Sequence, residues 1–310
     1  MPRMNLGLPY NHCSLASGCR VGFQSPNLLR CGACQVVKYC GKPHQKVDRP
    51  RHKVQSEEAK LRAEPGEDTG GENAFDTAVG QFWYFRSTRP YMSVRFDLMS
   101  AILNVRTGEA VQAALDHALD MIRLCRGDNQ GVRSYVPALH LHLGTDQQAC
   151  DFIKLYAVVP DEHYTWNDTS LPFLDLHDQD ALEPVFEKTH YHDVSFTVAL
   201  TLIKIRLMQD LDSLHAFVLR NPDVVSQEKY LDLINQLRAQ ILQLYKKVNE
   251  DNPHFWPGVL NPNLYAYDVP SIYTPGSREE AVLIFRQSWY SWSETQPAVQ
   301  YIRGIMTNDI

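Results

Sequence analysis

Five cysteines lie close together near the start of this chain of 310 residues, and two histidines follow them. Thiolate sulfur and imidazole nitrogen are the ligands that zinc prefers, and four of them around one ion form a structural site. The candidate ligands, in chain order, are Cys13, Cys19, Cys31, Cys34, Cys40, His44 and His52. This set predicts zinc rather than magnesium or calcium, because those ions select sites rich in carboxylate and other oxygen ligands.

A disulfide framework explains the same cysteines less well. The chain holds 7 cysteines, an odd count, and Cys125 and Cys150 stand apart from the cluster. The first ten residues lack the charged and apolar regions of a signal peptide, and no apolar run reaches the roughly 18 residues of a membrane span. We therefore expect a soluble, intracellular protein of the nucleus or cytoplasm, with reduced cysteines and no membrane partner.

Charge is distributed unevenly along the chain. Residues 1–64 carry 11 Lys and Arg against 4 Asp and Glu, whereas the remaining residues carry 19 against 32, so the formal charges are +7 and −13. Five zinc-bound thiolates and two zinc ions would leave the first segment at about +6. A basic head on an acidic body keeps nucleic-acid binding open as an alternative, but no base-reading helix is evident, and we favour a protein or peptide partner.

The segment from Cys31 to Ser56, CGACQVVKYCGKPHQKVDRPRHKVQS, carries several further signals. Cys31 and Cys34 form a C-x2-C knuckle, and an aromatic-Cys step, a Gln, an Asp and a His follow at Tyr39-Cys40, Gln45, Asp48 and His52. In this order the residues resemble a MYND finger, a small interleaved two-zinc module. The whole chain is similar to fungal proteins in which such a finger precedes a helical extension.

The resemblance implies two zinc sites. The first would use Cys13, Cys19, Cys40 and His44, with His44 standing where the family has Cys. The second would use Cys31, Cys34 and His52, with Ser56 or water as the fourth ligand. Because a neutral hydroxyl is a poor zinc ligand, we expect the second site to bind more weakly. Cys13 and Cys19 are also separated by a longer spacer than the family's C-x2-C pair.

The same resemblance implies a protein–protein interaction module, such as an adaptor or transcriptional regulator. MYND fingers commonly bind short proline-rich peptides through a Gln and a Trp; this chain keeps Gln45 but has Arg49 in place of the Trp. Two enzymatic alternatives stay open: a SET-type lysine methyltransferase, and a hydrolase at the open position of the second zinc. We do not expect an enzyme, because the rest of the chain lacks a short-strand pattern and the finger's only acidic residue is Asp48.

Beyond Ala74 the apolar residues recur at helical spacing, as in the stripe Val111, Leu115, Leu119 and Ile122. Further helices are predicted over Tyr91–Arg106, Gly131–Leu143, Thr145–Val159, Asp193–Leu219, Gln227–Asn249 and, after a capping box at Ser277 and Glu280, Ala281–Tyr290. The span to Leu219 is apolar on nearly every side, Leu214 included, and should be the most buried helix. Consecutive helices joined by short turns suggest stacked helical hairpins of the repeat type.

The sequence therefore predicts a zinc-stabilised MYND-like finger joined to an all-α, helical-repeat-like domain. The predicted segments are an N-terminal tail at 1–12, the finger at 13–56, a linker at 57–76 and the helical domain at 77–310. Outside the finger, three further groups are interpreted as structural: the pairs His140/His142 and His190/His192, the acidic loop from Asp175 to Asp180, and the aromatic run Phe82–Phe85.

Overall fold

The structure is a computed structural model. It describes residues 28–30, 38–46, 68, 72–103, 107–158, 164–184, 193–220, 228–265 and 270–307. This part of the chain is predominantly helical, as predicted, and its strands are confined to one short pair near residues 29 and 39. Within it, no helix combines the length and apolar character needed to span a bilayer.

The strands are β1 (Leu29–Arg30) and β2 (Lys38–Tyr39). The α-helices are α1 (Ala74–Thr77), α2 (Arg89–Leu103), α3 (Gly108–Leu124), α4 (Val136–Leu143), α5 (Asp146–Val158), α6 (Val194–Arg220), α7 (Glu228–Asp251), α8 (Phe255–Leu260), α9 (Arg278–Ser293) and α10 (Gln296–Thr307). Short 3-10 helices cover Val132–Tyr135 and Pro262–Leu264.

The helical residues divide into two compact units. The first unit contains α1 to α3 and residues 165–172, and the second contains residues 137–164 and the chain from Phe173 onward. Whether the helices form a true repeat stays a prediction.

Helix α3 shows how local sequence sets an element of the first unit. Thr107 caps its start, with the hydroxyl oxygen accepting a hydrogen bond from the Ala110 N–H at 3.1 Å. Val111, Leu115 and Ile122 are buried, but Leu119 is only half-buried. The buried face is centred closer to Ala114 and Ala118 than the predicted stripe, and α3 packs against α2.

The aromatic run at residues 82–85 has a divided role. Phe82 is fully buried and packs edge-on against Phe75 with ring centroids 5.0 Å apart. Tyr84, by contrast, is 75% exposed. The interpretation of the run as core is therefore right for Phe82 and wrong for Tyr84, because the irregular turn that carries the run points neighbouring side chains to different sides.

The predicted helix over residues 131–143 begins later than expected. Gly131 has a left-handed φ of 69°, and the Asp128 carboxylate accepts hydrogen bonds from the Val132 and Arg133 N–H groups at 2.8 and 2.9 Å. These bonds hold a 3-10 turn, and the α-helical geometry starts only at Val136.

Helices α6 and α7 pack against each other in the second unit. The first half of α6 is enclosed on nearly every side, as predicted. Its second half is not, since Leu214 is 42% and Phe217 59% exposed. The expectation that Leu214 belongs to the buried core is therefore wrong; hydrophobic composition alone does not reveal where the neighbouring helices stop covering a long helix.

Two buried cations of α6 tie the second unit together. Lys204 donates to the carbonyls of Ala181 and Glu183 and to Gln240 Oε1, at 2.8, 3.0 and 2.6 Å. Arg206 donates to four partners that are distant in sequence: Leu141 O, Asp146 Oδ1, Ser291 O and Thr295 Oγ1. Both charged groups are buried and hydrogen-bonded, as a buried charge requires.

The start of α9 carries the predicted cap in a modified form. Ser277 Oγ accepts from the Glu280 N–H at 3.2 Å. Glu280, however, accepts from Gly276 N at 2.7 Å and Asn252 Nδ2 at 2.9 Å rather than from the Ser277 N–H. The carboxylate thus joins the cap to the turn after α7.

Candidate metal centre

The described part of the finger begins with a short antiparallel strand pair. Leu29 is the register partner of Tyr39, and Arg30 is the partner of Lys38. The pairing brings together the two residues that flank the segment 31–37, which contains Cys31 and Cys34. Tyr39 is almost completely buried, so the aromatic position before Cys40 anchors the end of β2.

Helical backbone follows β2 and brings two of the predicted zinc ligands together. Residues 42–46 are helical, and the Gln45 N–H donates to the Gly41 carbonyl at 3.3 Å. Cys40 Sγ and His44 Nδ1 lie 3.0 Å apart, and both residues are partly buried. The spacing of four residues places the thiol and the imidazole on one side of the turn.

This pair fits a zinc ion. With Zn–S and Zn–N bonds of about 2.3 and 2.1 Å and a tetrahedral angle, the sulfur and nitrogen ligands of one ion lie about 3.6 Å apart. The separation of 3.0 Å between Cys40 Sγ and His44 Nδ1 needs to open by only about 0.6 Å to reach that value. Binding through Nδ1 requires the imidazole proton on Nε2 and the sulfur as thiolate.

The other predicted ligands lie outside the described residues. These are Cys13, Cys19, Cys31, Cys34, His52 and Ser56, together with Asp48 and Arg49 of the peptide-binding segment. The two-site arrangement and the weaker second site therefore stay predictions, and so do the boundaries of the finger and linker.

The described histidine pair of the helical part, His140 and His142, has structural partners. His140 Nδ1 lies 2.9 Å from Thr145 Oγ1, and burial lowers the pKa of His140 to about 4. His142 Nδ1 lies 2.8 Å from Glu294 Oε2. The two rings thus have separate partners, as expected for neighbours two positions apart in a helix. His190 and His192 lie outside the described residues.

The acidic loop is held by backbone hydrogen bonds. The Asp178 and Gln179 N–H groups donate to the Asp151 carboxylate at 3.1 and 2.8 Å, and Asp180 Oδ1 accepts from the Leu182 N–H at 2.9 Å. Across the described residues, no group of three or more His, Cys, Asp or Glu side chains is arranged to hold a metal ion.

Sequence reasoning missed a buried polar group around Lys204. Burial lowers the pKa of Lys204 to about 8, although nearby Cys150, Asp180 and Glu183 act in the opposite direction. Burial and Asp151 raise the pKa of the Cys150 thiol to about 11. The three donors of Lys204 are engaged by two carbonyls and an amide, which makes this ammonium a structural clamp. The sequence feature that could have indicated this buried group is a lysine within an otherwise apolar run of α6.

A short strand pair followed by a helical segment that brings a Cys and a His side chain together is typical of small zinc fingers. Residues 12–55 match the family model of the MYND finger, which supports a MYND-type zinc finger in this segment. MYND fingers are zinc-binding modules of protein–protein interaction. No curated protein and no solved structure matches the chain.

Proposed function

We propose that this protein is a non-catalytic interaction protein, an adaptor or transcriptional regulator, whose zinc-loaded finger binds a protein partner. The observation that carries the proposal is the 3.0 Å approach of Cys40 Sγ to His44 Nδ1 within the segment that matches the MYND finger. The finger presents the partner-binding surface, and the helical part supplies a scaffold.

Zinc has a structural role in this proposal. Residues 13–56 are rich in Cys, His, Gly and basic residues and have few large apolar side chains. Such a segment has little material for a core, and zinc binding supplies much of the folding free energy of such modules. Removing the metal should therefore remove the binding surface as well.

The helical part supports a scaffold role rather than an active site. Two of the buried charged groups among the described residues, Lys204 and Arg206, are committed to structural hydrogen bonds. The acidic loop is likewise held by bonds to Asp151. A catalytic group requires a poised proton donor, acceptor or nucleophile facing substrate, and these groups serve the fold.

The test is selection of partners by the zinc-loaded full-length chain from a displayed random-peptide library. We expect wild type to enrich a defined peptide class and Cys40→Ser to lose that enrichment together with about one zinc equivalent. Lys246→Glu, an exposed change on α7, is the matched control and should retain both zinc and peptides. Equal enrichment by wild type and Cys40→Ser would overturn the proposal.

The enzymatic alternatives give a separate readout. Methyl transfer from S-adenosylmethionine to a peptide, or zinc-dependent hydrolysis that His52→Ala abolishes, would replace the interaction function by catalysis. We expect neither reaction above background with the metal-loaded full-length chain.

A further inference from the structure

Residues 271–275, with the sequence Ser-Ile-Tyr-Thr-Pro, form an exposed segment shortly before α9. All five residues are exposed, including the large side chains of Ile272, at 81%, and Tyr273, at 52%. Residues 272–274 belong to no helix, strand or turn. An enzyme that acts on an unfolded stretch of chain can therefore reach this segment within the folded protein.

The side chains of the exposed segment are unengaged. None of them makes a hydrogen bond, ion pair or ring contact with another residue that the structure describes. The Thr274 carbonyl accepts a hydrogen bond from the Ser277 N–H at 3.0 Å, and this bond leaves the Thr274 hydroxyl available. Thr274 thus carries a free alcohol at the surface.

The C-terminal side of the exposed segment is attached to an ordered helix start. Gly276 has a left-handed φ of 76°, and its N–H donates to the Glu280 carboxylate at 2.7 Å. Ser277 then caps α9 by accepting from the Glu280 N–H at 3.2 Å. These bonds fix the chain directly after Pro275.

Pro275 restricts the backbone of the residue before it. The proline ring clashes with a helical conformation at Thr274 and favours extended backbone there. Protein kinases bind the residues around the acceptor hydroxyl in an extended form, and proline offers no N–H at the next position. A Thr-Pro step therefore suits kinases whose active site accepts proline directly after the acceptor.

We propose that Thr274 is a phosphorylation site for a proline-directed protein kinase, with ATP as the phosphoryl donor. Thr274 Oγ1 attacks the γ-phosphorus of ATP, the bond from that phosphorus to the oxygen shared with the β-phosphate breaks, and ADP leaves. The hydroxyl proton passes to the catalytic aspartate of the kinase. This inference goes beyond the interaction function and does not depend on it, because the segment lies outside the finger.

The phosphate would change the charge of the exposed segment without displacing a packed group. Residues 271–275 contain no charged side chain, and a phosphothreonine adds a charge of about −1.5 to −2 at neutral pH. The new anion stands beside the exposed side chains of Ile272 and Tyr273. Phosphorylation thus creates a feature that a binding partner can recognise, and it leaves the helices as they are.

The test incubates the folded full-length chain with a purified mitogen-activated protein kinase and ATP. The sequence contains one other Ser or Thr followed by proline, Ser25, so the parent protein carries Ser25→Ala. Mass spectrometry locates the phosphate, and radiolabelled ATP gives initial rates. We expect about one phosphate per chain, on Thr274, at a rate similar to that of a synthetic peptide of residues 268–281.

The variants separate the acceptor from its neighbours. Thr274→Ala should abolish incorporation and Thr274→Ser should retain it. Pro275→Ala should lower the initial rate about tenfold or more, because the pocket that selects proline loses its occupant. Ser271→Ala is the matched control: Ser271 is exposed in the same segment but is followed by Ile272, so its removal should leave the rate and the site unchanged.

Three results would overturn the inference: incorporation that persists in Thr274→Ala, equal rates for Pro275→Ala and its parent, or no incorporation into the folded chain, whether or not the peptide is phosphorylated. Equal urea midpoints for Thr274→Ala and its parent, expected for an unengaged side chain, show that loss of the acceptor and not loss of the fold explains the result.

Discussion

Gly258 is the position in the helical part where a single added methyl group should be most costly. It lies in α8, and an ideal Cβ built there would stand 2.0 and 2.3 Å from two ring carbons of Tyr265. Ordinary contact is 3.4 Å or more, so the ring must retreat by more than 1 Å. It has little room, since Tyr265 is 3% exposed and donates to the His254 carbonyl at 2.5 Å.

The expected loss follows from these contacts. Overpacking of a filled core costs about 1 to 3 kcal/mol, and loss of the tyrosine hydrogen bond costs about 1 kcal/mol more. The better helix propensity of alanine offsets somewhat less than 1 kcal/mol. Gly258→Ala should therefore lower the free energy of unfolding by about 2 kcal/mol.

The assay is urea unfolding followed by tryptophan fluorescence, because buried Trp256 lies two residues from the substitution. Gly108→Ala is the matched control, since no atom lies within 4 Å of its added Cβ, and it should be neutral or slightly stabilising. In a Tyr265→Ala background, Gly258→Ala should cost almost nothing further. Equal urea midpoints for Gly258→Ala and Gly108→Ala, or additive losses in the double variant, would refute the steric explanation.

Three further predictions concern zinc, proton binding and helix capping. His44→Ala should remove about one zinc equivalent, measured by metal analysis, whereas His44→Cys should retain it, because thiolate replaces imidazole at zinc; retention by both would exclude His44 as a ligand. The pKa of Lys204 is lowered to about 8 from 10.5, so the unfolded chain binds the extra proton between these values and the free energy of unfolding should rise with pH there. The pKa of Cys150 is raised to about 11 from 9.0, which makes the free energy of unfolding fall with pH above 9. The increase due to Lys204 is therefore measured by urea unfolding in a Cys150→Ala background, and it should vanish when Lys204→Met is added. An increase that persists in the double variant would show that another group causes it. Thr107→Ala should lower the free energy of unfolding by about 1 kcal/mol through loss of the α3 cap, and Thr107→Ser should restore most of it; equal stability of both variants would contradict a capping role.

Local signals in the sequence were sufficient to locate most of the described helices. Ser277 caps the helix that it was predicted to cap, because its hydroxyl satisfies a nearby N–H without help from distant residues. Helix α10 was missed; it follows α9 after only Glu294 and Thr295, and so tight a junction leaves few turn residues to mark a boundary.

Burial was predicted less well than helicity. Leu214 is apolar and exposed, whereas Lys204 is charged and buried. Both outcomes depend on which residues pack against the side chain in the folded protein. For Lys204 these include the carbonyls of Ala181 and Glu183, which accept its hydrogen bonds. A periodic pattern along one helix contains no information about such partners.

The candidate metal site was predictable only in part. Cys40 and His44 were assigned to one site through the family resemblance, and the structure brings their side chains together because they are four positions apart and residues 42–46 are helical. The remaining ligands come from segments on both sides of the strand pair, and their assignment depends on the family resemblance rather than on local geometry. Their positions lie outside the described residues.

Arg206 has a consequence for how the protein is made. Its guanidinium group is bonded to Leu141 and Asp146 on one side of the sequence, and to Ser291 and Thr295 on the other. During synthesis the first pair leaves the ribosome before α6, but Ser291 is made 85 residues after Arg206. The second unit therefore cannot reach its final packing until α9 has been made, and this cation stays hydrated until then.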